Sequence, residues 1–300
     1  MELKKDIIVF YHGRCRDGFT AAWAAWKKLG GSADYIPLEW TNLNPEQIPP
    51  VPGKEVYFLD YAPSQEDLDR VIKEAKSVVI IDHHLSKEEM VKNLPGSVYE
   101  SNHSGAVLAW KYFHPDGTMP RLCLYVEDSD LWNWKIQDSN KVLSSIDLKD
   151  DTDFKVWDSI AKDLEDDAKR REYEKKGEII LEYAKKLIDE IIKAHAQLVN
   201  FEGHEVYAVN APRMFRSEIG NKLATIKPPF GIVWNQTPTE ISVSLRAIKD
   251  KFNLIPLAQK YGGGGHMGAS NFRLPLDSPL REAELLTQWM VKSPLYPPKR

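Results

Sequence analysis

Four short segments of this sequence combine imidazole, carboxylate and thiol groups: "HGRCRDG" with His12, Cys15 and Asp17; "FLDYA" with Asp60; "IIDHH" with Asp82, His83 and His84; and "EDSDLW" with Asp128 and Asp130. Each residue singly has an ordinary explanation, because aspartate is common after strands and a lone histidine is usually a satisfied polar residue. Together they argue for a cation. Carboxylates desolvated side by side repel one another and lose stability unless a positive ion compensates them. Mixed imidazole and oxygen ligands suit Mn²⁺, Fe²⁺ or Zn²⁺ better than Ca²⁺, and the oxygen-rich set favours Mn²⁺ or Mg²⁺.

Positioning these groups falls to apolar runs that end where the chemistry begins. "DIIVFYH" reads as a strand, followed by a polar loop and the helical "FTAAWAAWKKLGG", which closes on glycines. The pattern recurs in "ADYIPLEW", in "KEVYFLDYAPSQEDLDRVIKEAK" and in "SVVIIDHHLSKEEMVKNL". Strands this continuous in apolar residues are buried on both faces, and their alternation with helices predicts a doubly wound, mainly parallel α/β sheet. In such a sheet the strand carboxyl ends share one edge, so the distant segments converge there. Ser64, with Asp67 three residues on, predicts a helix start. "HSGAVLAWKYF" and "MPRLCLYVEDSDLWNW" read as helices, with Ser104 an N-cap in preference to a metal neighbour.

The organisation predicted is a doubly wound domain over 1–150 that carries these segments, a charged helical linker over 151–200 and a smaller α/β domain over 201–300. The charge runs of the linker read as a solvated face. In the last part, "HEVYAVNAP", "FGIVWN" and "EISVSLRAI" read as strands and "SEIGNKLAT" and "NLIPLAQKY" as helices. "YGGGGHMGAS" carries Gly263, Gly264 and Gly265 before His266, and such a run permits positive φ and close approach of backbone N–H groups to an anion.

An upstream "H..C.DG", then "LDYA", "DHH" closing an apolar strand, "EDSDLW" and a distal "GGGGH" together resemble the DHH phosphoesterase family over nearly the whole chain. The tripeptide alone is common; the order of the five segments carries the resemblance. The subgroup most similar is that of nano-RNA oligoribonucleases and cyclic-nucleotide phosphodiesterases, whose first motif carries this cysteine. The resemblance implies two divalent ions, one held by His12 and Asp60 and the other by Asp17, Asp60, His83 and Asp128, with Asp60 bridging. Asp128 is favoured over Asp130 because Trp132 then matches the family's aromatic. His84 would face the scissile phosphate, and Asp82 would orient a neighbouring imidazole. Many relatives have an aspartate where Cys15 stands; Cys15 is either a softer ligand or a small packed residue.

In the last domain the resemblance makes Arg246 a phosphate or nucleotide clamp and aligns Gly263, Gly264, Gly265 and His266 with a substrate-binding signature. Asn210 and Ser217 are further lining candidates. The expected reaction is phosphodiester hydrolysis with Mn²⁺ foremost and Mg²⁺, Fe²⁺ or Zn²⁺ as alternatives. Short single-stranded oligonucleotides or small nucleotides are the expected substrates, with a homodimer left open. The rivals are a pyrophosphatase or exopolyphosphatase and a nucleotide sensor without turnover.

The charge balance fits that substrate class. With 40 basic against 44 acidic residues, a formal charge of −4 gives no global field for long duplex nucleic acid. The chain has 42% hydrophobic and 28% charged residues, and its apolar runs fall short of a membrane span. No signal-like segment opens it, so a cytoplasmic location is expected. Two cysteines, Cys15 and Cys123, are too few for a disulfide framework and predict free thiols. Of the nine tryptophans, Trp23, Trp26 and Trp110 sit on amphipathic helices and read as core.

Overall fold

The computed structural model describes residues 3–39, 48–149 and 152–276. The chain divides into two compact units, the first reaching Leu181 and the second beginning at Glu182. In the first, β1 (Ile7–His12), α1 (Arg16–Leu29), β2 (Ala33–Leu38), β3 (Glu55–Leu59), α2 (Gln65–Glu74), β4 (Ser77–Asp82), α3 (Glu88–Lys92) and β5 (Val98–Tyr99) follow in order. The helices α4 (Gly105–Phe113), α5 (Arg121–Asp130), α6 (Ser139–Ile146), α7 (Phe154–Glu165) and α8 (Asp167–His195) come next.

All five strands run parallel in the order β2-β1-β3-β4-β5. Alternation along the strands sends Val9, Tyr11, Leu59 and Ile81 to one face, under α1, α4, α5 and α7. Ile8, Phe10, Val56, Phe58 and Ile80 go to the other, under Leu68 and Val71 of α2. This is the predicted doubly wound sheet, and its order reverses between β1 and β3. In open α/β sheets such a switch point is where ligands bind, at the strand carboxyl ends. Ser64 caps α2 by accepting from the Asp67 N–H, as its spacing predicts.

Two elements differ from the linker expected over 151–200. Trp157, Ile160, Ala161 and Leu164 of α7 are buried in the first unit's core, and Tyr173 of α8 packs against it. The charged surface of these helices hides an apolar stripe that belongs to the first unit. At Gly177 a β-carbon would stand 1.7 Å from the Lys141 carbonyl oxygen, so α8 lies backbone-to-backbone on α6 where it has no side chain.

The second unit continues with β6 (Gln197–Phe201), β7 (His204–Asn210), α9 (Arg216–Ile226), β8 (Phe230–Gln236), β9 (Glu240–Ala247), α10 (Ile255–Lys260), β10 (Gly264–His266) and β11 (Ala269–Pro275). Its sheet is mixed, in the order β10-β11-β9-β8-β7-β6, and only β7 and β8 pair in parallel. β6 was not read from the sequence; it pairs antiparallel with β7 through the turn at Glu202 and Gly203, both at positive φ. One face carries Phe201, Phe230, Ile232, Val243 and Leu245, while Ile188 and Ile192 of α8 and Ile219 and Leu223 of α9 cover Val209 and Val233 on the other. Both cysteines are free thiols, and no described helix is long and apolar enough to cross a membrane.

Candidate metal centre

The predicted convergence occurs at the β1/β3 switch point. His12 closes β1, Asp60 follows β3, Asp82 closes β4 and is followed by His83 and His84, Asp17 lies in the first turn of α1, and Asp130 ends α5. Asp60 is the hub. Its Oδ2 lies 3.2 Å from His12 Nδ1 and its Oδ1 3.2 Å from His83 Nε2, so each oxygen meets a different imidazole. A left-handed backbone, φ 53°, turns the chain there, a conformation that aspartate and asparagine tolerate better than most residues.

Around His83 Nε2 the carboxylates close in. Asp17 Oδ2 and Asp130 Oδ2 each lie 3.5 Å from it. Asp17 is fixed by the Gly105 and Ala106 N–H groups, which donate to its two oxygens at 2.7 and 2.9 Å from the start of α4. Gly105 must be glycine here, since a β-carbon would stand 2.6 Å from the Asp60 β-carbon. His84 Nδ1 lies 2.7 Å from Asp82 Oδ1, and that same oxygen accepts from the His83 N–H. Ser104, as expected of an N-cap, accepts from the Val107 N–H.

These distances have electrostatic consequences. Burial pushes the Asp17 carboxyl well above the usual range, and the charges of Asp60 and Asp130 push it further. Burial also raises Asp130, although His83 pulls it back. For Asp60 burial acts in the same sense but is outweighed by hydrogen bonds from His12 and His83, which hold it well below the ordinary carboxylate value. Burial opposes charge on His83, yet its bond to Asp60 and the charges of Asp130, Asp60 and Asp17 hold its pKa well above that of ordinary imidazole.

The donor set fits a divalent cation. Ligand atoms of His12, Cys15 and Asp60 lie within 4.8 Å of one another, as do those of Asp17, His83 and Asp130, and those of Asp60, Asp82, His83 and His84. Buried Asp82 Oδ2 and Asp130 Oδ2 make no hydrogen bond. Crowded acceptors without donors are what a cation relieves. Cys15 belongs to the first group; burial and the charges of Asp60 and Asp130 push its thiol up to about 12.

The preference for Asp128 over Asp130 is corrected by this geometry. Asp128 accepts from the Lys135 and Ile136 N–H groups at 2.7 and 3.1 Å and from the Ser139 hydroxyl at 2.6 Å. Its oxygens are thus committed to the turn after α5, and Asp130, two residues on, joins the cluster instead. Two residues along a helix point about 200° apart, so only one aspartate of the pair could face the sheet edge.

In the second unit, Arg246 Nη2 donates to Ser217 Oγ at 3.2 Å and Nη1 to the Leu245 carbonyl at 2.9 Å. Sheet register sets His266, Ala269, Arg246 and Gly231 in one row across β10, β11, β9 and β8. The glycine run is part strand: Gly264 and Gly265 belong to β10, with Gly265 at φ 136°, and Gly263 precedes them. Asn210 ends β7, where its side-chain amide donates to the Trp234 carbonyl.

No protein-family model matches the chain. Over 284 residues it is 26% identical to the uncharacterized protein R106 of Acanthamoeba polyphaga mimivirus, covering 88% of this chain and 66% of that protein. Over 237 residues it is 24% identical to the oligoribonuclease NrnB of Bacillus subtilis (strain 168), covering 72% of this chain and 58% of that protein. The chain therefore spans less than two thirds of the length of these curated relatives. Among solved structures, an exopolyphosphatase-related protein from Bacteroides fragilis superposes with a TM-score of 0.54 at 15% identity, covering 90% of this chain and 87% of that one. The chain resembles the DHH phosphoesterases in the order of its motifs and in its two-unit α/β fold.

Proposed function

We propose that the chain is a divalent-metal-dependent phosphodiesterase acting on short oligonucleotides or small nucleotides. The observation that carries the reading is Asp60, which offers one oxygen beside His12 and the other beside His83, with Asp17 and Asp130 at the same imidazole. Such a placement supports a bridging role for Asp60 between two cation positions. The first would be held by His12 and Asp60 with Cys15, the second by Asp60, Asp17, His83 and Asp130. Divalent ions there would stabilise charge on a phosphoryl group and lower the pKa of an attacking water.

The remaining steps belong to side chains. His84 is more exposed than His83, 13% against 0%, which suits it to meet the phosphate. Its Nδ1 is held against Asp82, an arrangement that fixes the ring's orientation. Asp17, tied to the start of α4, holds its place as charge at the centre changes. Arg246 offers a planar fork suited to phosphate, and His266 lies in the same register row. The likeness to a protein named oligoribonuclease supports a nucleotide substrate over pyrophosphate.

The experiment is a hydrolysis panel: Mn²⁺, Mg²⁺, Zn²⁺ and Fe²⁺, each with an RNA dinucleotide and with pyrophosphate, scoring mononucleotide and phosphate. Release of mononucleotide under Mn²⁺ is expected; phosphate from pyrophosphate alone, or no turnover with any metal, rejects the proposal.

A further inference from the structure

The tryptophans separate into two populations. Trp23 and Trp110 stack on each other inside the first unit at 5.3 Å, Trp157 is buried in the same core, and Trp26 stacks on Phe154. Trp132 and Trp134 belong to neither core cluster of that unit. They form an edge-to-face pair with centroids 5.1 Å apart at 77°, and Trp134 is 38% exposed, the one described tryptophan that counts as exposed. Such a pair near water is an unusual use of the largest apolar side chain.

Its backbone is unusual too. Trp132, Trp134 and Asp138 all adopt left-handed conformations, with φ of 53°, 51° and 59°. Indole-bearing residues rarely do so, and strain of this kind persists only where the surroundings enforce it. Asp128 does the enforcing. Its carbonyl accepts from the Asn133 and Trp134 N–H groups at 2.9 and 3.3 Å, while its carboxylate takes Lys135, Ile136 and Ser139. One buried residue therefore clamps the whole loop, and the loop begins immediately after Asp130, at the candidate metal centre.

We propose that Trp132 and Trp134 form a rigid stacking platform for a nucleobase of the substrate, set beside the phosphate position by Asp130 and held in shape by Asp128. The identification rests on the phosphodiesterase reading for what lies at the centre. A base suits the platform because every base has a π-face, and stacking needs no sequence-specific hydrogen bond. The loop is fixed before any ligand arrives, so little ordering remains to be done on binding.

The test measures equilibrium binding of an adenosine dinucleotide, and of the same ribose–phosphate–ribose backbone without either base, to the full chain with Mn²⁺, alongside dinucleotide hydrolysis. The wild type is expected to prefer the base-bearing ligand, and Trp134→Ala to weaken it by about 5- to 100-fold while the abasic ligand is unaffected. Trp134→Phe, which keeps an aromatic face, retains most of the affinity and guards against misfolding, as does an unchanged melting temperature. Equal binding of the two ligands by the wild type, or equal losses on both in Trp134→Ala, overturns the platform. A wild type that binds through Trp134 yet hydrolyses nothing overturns the phosphodiesterase reading and leaves the platform standing; one that hydrolyses without dependence on Trp134 does the reverse.

Discussion

The strand ends of the first unit and the Arg246 row of the second both bring ionisable groups together, but on opposite terms. Around His83, three carboxylates crowd a single imidazole, two of them pushed toward protonation, and acceptor atoms of Asp82 and Asp130 lack donors. Around Arg246, the guanidinium already has the Leu245 carbonyl and the Ser217 hydroxyl as acceptors. The first arrangement crowds acceptors and charge in the way a cation would relieve; in the second a side-chain cation already has acceptors. The difference separates a candidate cation site from a row built around a side-chain cation of its own.

The hardest blow to that contrast is at its hub. Asp60→Asn keeps the left-handed turn and removes the charge, and is expected to lower kcat/KM for a dinucleotide by at least about 100-fold, with weakened Mn²⁺ binding by calorimetry. Wild-type turnover with saturating metal would remove the bridging role.

The two aspartates of α5 sharpen the contrast within one helix. Asp128→Ala strands two backbone donors and a buried hydroxyl, so a loss of about 2–4 kcal/mol in a denaturant titration is expected. Asp130→Ala should instead abolish Mn²⁺-dependent activity and leave the metal-free protein as stable as before, because it removes a repelled charge. A swap of these phenotypes returns the metal-binding assignment to Asp128.

Stability against pH probes the same crowding. Asp17 and Asp130 have folded pKa values above their unfolded ones, so between those values the folded state binds more protons and stability falls as pH rises. His83, also raised, contributes stability that is whole below its ordinary 6.5 and is lost as pH climbs through the folded value. Asp60 acts in the opposite sense, but its window lies below the ordinary carboxylate range. Metal-free protein is therefore expected to melt about 3 °C or more higher at about pH 6 than at about pH 8, with Mn²⁺ narrowing the gap. A flat profile in chelator argues against the crowded charges.

The smallest effect tests the self-contained region. Ser217→Ala removes one hydrogen bond to Arg246 and is expected to raise KM for a dinucleotide by about 3- to 10-fold. An unchanged KM would remove Ser217 and Arg246 from substrate binding.

Much of this was legible in the sequence because strand burial writes itself as continuous apolar runs, and in a parallel sheet those runs end on one edge. That placed His12, Asp60 and His83 at strand ends as candidates, while their grouping with Asp17 as a ligand set came from the resemblance in motif order. The choice between Asp128 and Asp130 was legible in neither, since it depends on which face of α5 meets the sheet and on N–H groups seven and eight residues downstream. The extent of the first unit was hidden for a related reason: α7 carries Lys155, Asp158, Lys162 and Asp163 around a narrow stripe of Trp157, Ile160 and Leu164. A charged helix and a buried one can be the same helix. β6 went unread because Gln197 and Asn200 interrupt its apolar pattern.

The missing methyl at Gly177 has a long reach. Alanine there would suit an isolated helix better, yet its β-carbon would press on the Lys141 carbonyl and drive α8 and α6 apart. Ser139 heads α6 and braces Asp128, and Asp128 moulds the turn that carries the two indoles. A position in the middle of the longest described helix thereby governs the alignment of side chains next to Asp130, and a stability screen confined to the candidate ligand segments would overlook it.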